Sequence, residues 1–167
     1  MSAKIRNLHQ LKRKDIKRLN QDLSDQFGES FFEDITQVQI GKMEDRELIF
    51  IERKAWFFKE GNQLFFTIPG LLLLRPSQGK VVVDMGAVKF VTNGADVMAP
   101  GIVDADPMIE PDQQVWICDE QHKKPLAVGV ALMTGEDMVE KTSGKAVRLI
   151  HYVGDRLWDL IQTLESN

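Results

Sequence analysis

Ala87-Val88-Lys89-Phe90-Val91-Thr92-Asn93-Gly94-Ala95-Asp96-Val97-Met98-Ala99-Pro100-Gly101-Ile102 is the stretch on which the reading of this chain turns. It reads as a short helix stopped by a glycine, followed by a short strand broken at Pro-Gly. Apart from Lys89, Thr92, Asn93 and Asp96, every residue in it is small or apolar. Gly94 is expected to supply the left-handed cap that ends the helix, and Gly101 a positive φ after Pro100. A helix–glycine–strand unit of this kind is expected to expose backbone N–H groups where no side chain blocks a ligand. Such a surface suits a ribose-phosphate chain.

Working outward, Lys80-Val81-Val82-Val83 is a compact apolar strand, and Asp84 is placed to cap a helix running through Asn93. Val88 and Val91, three apart, face inward. Strands follow at Asp96–Met98, Gln114–Cys118, Leu126–Leu132 and Lys145–Tyr152, while Asp104-Ala105-Asp106-Pro107 has turn composition. Thr134 and Asp137 fit a capping box for a brief helix ending near Lys141. Short strands with small inserted helices predict a closed or nearly closed β-barrel. In the last strand, period two puts Lys145, Val147, Leu149 and His151 on one face and Ala146, Arg148, Ile150 and Tyr152 on the other. A basic group therefore points outward whichever face is buried.

The first half of the chain reads as α+β. From Ile5 to Phe27 the apolar residues Ile5, Leu8, Leu11, Ile16, Leu19, Leu23 and Phe27 share one stripe at roughly 100° per residue, with room for one break. Arg6, Arg13, Lys14 and Lys17 lie opposite, as a solvated face, a phosphate- or partner-contacting face, or both. Gly28 is expected to stop it. From Thr36 to Ile68 the pattern becomes strand-like, with Val38/Ile40, Leu48/Phe50, Trp56/Phe58 and Leu64-Phe65-Phe66 separated by turn residues. Trp56, Phe57 and Phe58 are expected in the core of this sheet. Pro69-Gly70 closes it, Leu71–Arg75 forms a strand or extended linker, and Pro76-Ser77-Gln78-Gly79 marks the boundary. The organisation is 1–75, 76–160 and a tail at 161–167, with Trp158 anchoring a C-terminal helix.

Composition narrows the function classes. At 167 residues, 43% hydrophobic and 28% charged, the chain is an ordinary globular sequence. No apolar run approaches the roughly 20 residues of a membrane span, and the basic start lacks the apolar stretch of a secretory signal. The single Cys118 cannot form an internal disulfide, which suits the cytoplasm, and it is read as a packed residue. Residues 1–18 hold seven basic groups against Asp15, a charge of +6, in a chain whose net charge is −4. The body is thus acidic and the head basic. No phosphate loop, dinucleotide fingerprint, zincin motif or nucleophile elbow is present. His9, His122 and His151 share no metal-ligand spacing with Cys118. Neither catalysis, a cofactor nor a metal is expected.

The run GAVKFVTNGADVMAPGI after Val81-Val82-Val83-Asp84 resembles the signature of the PUA domain. Val128-Gly129-Val130-Ala131-Leu132-Met133, Glu136-Asp137-Met138 and Gly144-Lys145-Ala146-Val147 agree with it. With Ile150-His151-Tyr152-Val153-Gly154-Asp155 and Leu157-Trp158, the chain is similar to the malignant T-cell-amplified-sequence family and its archaeal relatives. The resemblance implies an α+β pre-PUA domain followed by a PUA pseudobarrel whose final strand flanks the glycine segment. It also implies a noncatalytic RNA-binding protein that acts in translation, at the small ribosomal subunit and on the 3′ CCA end of tRNA, beside a translation-factor partner. On that basis Lys89, Asn93, Gly94, Ala95, Pro100, Gly101, Arg148 and His151 line the RNA site, with Arg6, Arg13, Lys14 and Lys17 as a secondary basic patch contacting ribosomal RNA or a partner. An accessory targeting module for an RNA-modifying enzyme and a protein-interaction adaptor are the alternatives.

Overall fold

A computed structural model of the chain describes residues 4–31 and 37–165. It divides into two compact units, Met1–Arg75 with Asp159–Asn167, and Pro76–Trp158. None of the described helices is long and apolar enough to cross a membrane.

In the first unit, β1 (Arg6–Gln10) precedes α1 (Arg13–Phe27), followed by β2 (Val38–Met43), β3 (Arg46–Ile51), β4 (Lys54–Glu60), β5 (Gln63–Phe66) and α2 (Ile68–Leu74). The strands form one meander in the order β1-β2-β3-β4-β5. The expectation of a helix from Ile5 fails at its start, because Arg6–Gln10 joins the sheet edge. A bulge between Arg6 and His9 explains the false signal. Asn7 takes a left-handed φ of 56°, and the extra residue puts Ile5 and Leu8 on the same side, where both lie against Gly41. Their three-residue spacing imitates a helical period. From Arg13 onward the helix is as expected, burying Leu23 and Phe27 and ending at Gly28 with a φ of 71°. Thr36, the expected start of the strand region, lies outside the described residues.

The second departure is α2. Leu71 to Leu74 is helical, and Pro69-Gly70 opens this helix where it was expected to close the sheet. The Thr67 hydroxyl accepts from Gly70 N at 3.0 Å, and Pro69 occupies the first turn, where its missing N–H costs nothing. A run of four leucines has no polar partner to reveal its period, so only the cap marked it. Trp56, Phe57 and Phe58 are core residues as expected. Phe57 pairs with Phe66 across the sheet and Phe58 with Phe65, so both sheet faces carry aromatic packing. A Cβ on Gly70 would stand 2.2 Å from the carbonyl oxygen of Trp56. Gly70→Ala is therefore expected to destabilise the first unit by about 1–3 kcal/mol, read as a lower urea midpoint with an unchanged slope.

The second unit contains β6 (Lys80–Val83), α3 (Met85–Val91), β7 (Val97–Met98), a 3-10 turn at Ala99–Gly101, β8 (Ile102–Ala105), β9 (Gln114–Asp119), β10 (Pro125–Ala131), α4 (Gly135–Glu140) and β11 (Lys145–Tyr152). The sheet runs β7-β11-β10-β9-β6-β8, antiparallel except for the parallel β6–β9 pair, and forms a nearly closed mixed pseudobarrel. Its core collects Val81, Val83, Val91, Val97, Ile109, Val115, Ile117, Ala127, Met138 and Val147. Two caps stand where the residue types required them. Asp84 Oδ1 accepts from Ala87 N at 2.8 Å, and Thr134 Oγ1 accepts from Asp137 N at 3.1 Å.

Asp104 and Ala105 belong to β8 and not to a turn; the turn begins at Asp106, whose carboxylate accepts from Gly79 N and Met108 N. As an edge strand paired only to β6, β8 tolerates an exposed Asp104. Strict alternation also fails along β11, where Ala146 and Val147 are both buried while Lys145 and Arg148 are both exposed. Irregular pairing on both sides of the strand breaks the period of two. Finally, α5 (Arg156–Glu165) buries Leu157, Leu160 and Ile161, so residues 161–165 form helix and not a tail.

Candidate nucleic-acid interface

Helix α3 and the segment after it enclose an open groove of about 480 Å³ in the second unit. Gly86, Ala87 and Phe90 contribute from the helix, and Ala95, Met98, Pro100 and Gly101 from the segment. Of the residues expected at the site, Ala95, Pro100 and Gly101 line this groove. Lys89, Asn93 and Arg148 are exposed outside its lining. Gly94 takes the left-handed φ of 87° expected of it, and a Cβ there would stand 2.7 Å from the Tyr152 hydroxyl. The turn therefore rests on the Tyr152 ring, which no larger residue would permit. Gly101 does not adopt a positive φ. It sits in the 3-10 turn, where its lack of a side chain serves packing: a Cβ would meet that of Ala87 at 3.1 Å.

His151 is a correction. Its side chain is 0% exposed, and Nδ1 bonds the Asp155 carboxylate at 2.8 Å. A fully enclosed imidazole held by a carboxylate cannot meet a ligand at the surface. Asp155 also accepts from Tyr152 N at 3.0 Å and Trp158 N at 2.8 Å. Burial pushes the Asp155 carboxyl up, but the bonds from His151, Trp158 and Tyr152 outweigh it and hold the group below the ordinary carboxylate range. The pair thus fixes the end of β11 and, through Tyr152, the support of Gly94.

Four of the backbone donors of this segment are engaged within the fold. Asn93 N and Ala95 N donate to Phe90 O, Gly94 N to Val91 O, and Ala99 N to Gly144 O. The main chain of the glycine turn is spent on its own folding. Both carboxylates lining the groove are likewise engaged. Asp84 caps α3, while Asp96 accepts from Leu149 N at 3.0 Å and lies 3.5 Å from Lys145 Nζ. What the groove offers is apolar surface with cations nearby.

That surface includes residues the sequence reading passed over. Phe90 is 57% exposed and Met98 45% exposed. The signal was available in α3: if Val88 and Val91 face inward, Phe90 must face out, and an outward aromatic calls for an explanation. Lys89 Nζ lies 5.2 Å from the centre of the Phe90 ring, so cation and aromatic form one unit. Cys118 is fully buried, and burial pushes its thiol above the ordinary value, away from nucleophile chemistry.

The secondary basic patch divides in the first unit. Arg13, Lys14 and Lys17 are exposed on α1. Arg6 belongs to β1 and donates to Glu44 O at 2.6 Å.

Comparison with known proteins agrees with this architecture. The PUA domain matches residues 79–153. An uncharacterized protein of Methanocaldococcus jannaschii is 43% identical over 162 residues, covering 93% of this chain and 97% of its own. Translation machinery-associated protein 20 of Saccharomyces cerevisiae is 33% identical over 134 residues, covering 74% of this chain and 72% of its own. A crystal structure of a hypothetical protein from Pyrococcus horikoshii superposes with a TM-score of 0.85 at 37% identity, over 92% of this chain and 99% of that one. The chain belongs to the PUA-domain family that contains malignant T-cell-amplified sequence 1, translation machinery-associated protein 20 and their archaeal relatives.

Proposed function

We propose that this protein is a noncatalytic RNA-binding factor of the translation apparatus whose groove receives an unpaired RNA 3′ end, the CCA terminus of tRNA. The exposed Phe90 at an apolar groove with Lys89 beside it carries this reading. Proteins read RNA chiefly through unpaired nucleotides, by stacking and by contacts to phosphate and 2′-OH. A groove lined mainly by apolar side chains, with both of its carboxylates engaged, favours the face of a base over phosphate. Lys89 and Arg148 would then meet phosphates outside it, and Asn93, which offers both donor and acceptor, a base edge or a 2′-OH. The place in translation follows the name of translation machinery-associated protein 20. Contact with the small ribosomal subunit and with a translation-factor partner, in the cytoplasm, extends that reading.

Titration of labelled tRNA with and without its CCA end tests the proposal. Trimmed tRNA is expected to bind more weakly than intact tRNA. Lys89→Glu should weaken binding of intact tRNA and reduce the dependence of log affinity on log salt by about 1. Equal affinity for trimmed and intact tRNA would exclude the CCA assignment. Absence of RNA binding, with a protein recovered by pull-down, would favour the adaptor.

A further inference from the structure

On the first unit, β4, α2 and the end of α5 enclose an open cleft of about 270 Å³, lined among the described residues by Lys54, Trp56, Pro69, Leu72, Leu73 and Glu165. Leu71 of α2 is buried and serves the core, whereas Leu72 and Leu73 are exposed side by side and give the fold little. Apolar surface gathered in one place on a small domain calls for an occupant. Trp56 adds a second sign of one. It is only 9% exposed, and its indole Nε1–H is enclosed without an acceptor among the described residues. An enclosed donor left unpaired is destabilising, so its presence points to an acceptor supplied from outside. Charge gives a third sign. Lys54 and Glu165 belong to the same lining, yet among the described residues no ion pair reaches either. The volume lies below the roughly 300–1,000 Å³ of small-molecule sites and suits the side chains of a protein surface instead.

We infer that this cleft is a self-association face, at which a second copy of the chain packs about a twofold axis. Under such an axis residue i of one copy meets residue j of the other and the reverse, so a face holding one cation and one anion complements itself. Lys54 of each copy then pairs with Glu165 of the other, and the same carboxylate accepts from Trp56 Nε1–H as the two faces exclude water. Leu72 and Leu73 cover their own equivalents. A second copy therefore answers all three observations together: the bare leucines, the unpaired charges and the orphan indole. A polyanion would find the one cation here offset by an acid, and a lipid surface would have to accommodate both charges. A contact of this small extent forms a weak dimer, populated at high protein concentration. The face is built from first-unit residues alone, so the inference holds whether or not the groove of the second unit binds RNA.

Sedimentation equilibrium of the full-length chain, from about 1 µM to about 1 mM, is expected to show reversible association of two copies. Lys54→Glu and Glu165→Lys should each weaken it at least about tenfold, because each change acts twice about the axis and sets like charges against each other. An equimolar mixture of the two variants should recover the wild-type affinity to within about threefold, since every reversed charge then meets its opposite. In nitrogen–proton correlation spectra the Trp56 indole resonance, identified by its loss in Trp56→Phe, should move downfield with concentration in wild type and stay fixed in Glu165→Lys. A chain that sediments as a single copy throughout would overturn the inference. So would association that survives both charge reversals, or a mixture no tighter than either variant alone. Recovery of a different protein through a cross-linker at Leu73, with no self-association, would assign the cleft to that protein instead.

Discussion

Phe90→Ala should lose most of the affinity for a CCA-ended single strand while leaving the thermal midpoint of the protein unchanged. The two outcomes separate because Phe90 is 57% exposed, so its ring contributes little to folding. Stacking of one base on an aromatic ring is worth about 1–3 kcal/mol, which corresponds to roughly 5- to 150-fold in affinity. Phe90→Trp keeps a stacking surface and should retain binding. The contrast matters because the backbone donors of Asn93, Gly94, Ala95 and Ala99 are already taken. If main-chain contacts rather than the ring hold the RNA, the alanine variant will bind like wild type and the stacking role is wrong.

Asp155→Ala should have the largest effect on stability. Its carboxylate accepts from the enclosed His151, from Tyr152 N and from Trp158 N, so its removal takes away one acceptor from each of the three. Removing one member of a buried hydrogen-bonded pair costs about 3 kcal/mol or more, measurable as a lower denaturation midpoint. The variant should also weaken single-strand binding, because Tyr152 supports the turn at Gly94. The pH dependence follows from the depressed carboxyl. The unfolded chain takes up the proton first, so the contribution of Asp155 is complete above about pH 4, the ordinary carboxyl value. It is then lost as pH falls through the folded value. Wild type should show this acid-limb loss, and Asp155→Ala should show a shallower one. Parallel acid limbs in the two proteins would show that the pair does not stabilise the fold.

How much of this could be read beforehand depended on whether the decisive forces were local. The caps at Asp84 and Thr134 were legible because a side chain and a backbone N–H three residues on form a self-contained bond. The aromatic core around Trp56, Phe57 and Phe58 was legible because a small sheet must bury such residues. The edge strand before α1 was misread because a bulge at Asn7 reproduced helical spacing at Ile5 and Leu8. The helix at Leu71 was missed for a different reason, because a run of leucines carries no phase. His151 was placed at the site by the resemblance, and period two left open which face of the last strand is buried. Irregular pairing on both sides of β11 and the carboxylate of Asp155 drew the imidazole inside.

The order of residues alone determined the α+β and barrel architecture and the basic character of the head, since these follow from periodicity, turn chemistry and charge, while the family was carried by the resemblance of its motifs. Tertiary structure decided what the glycine segment presents to a ligand. The backbone donors of Asn93, Gly94, Ala95 and Ala99 found partners through folding, and the one large aromatic of α3 was left facing solvent because the valines on either side of it were needed for the barrel core.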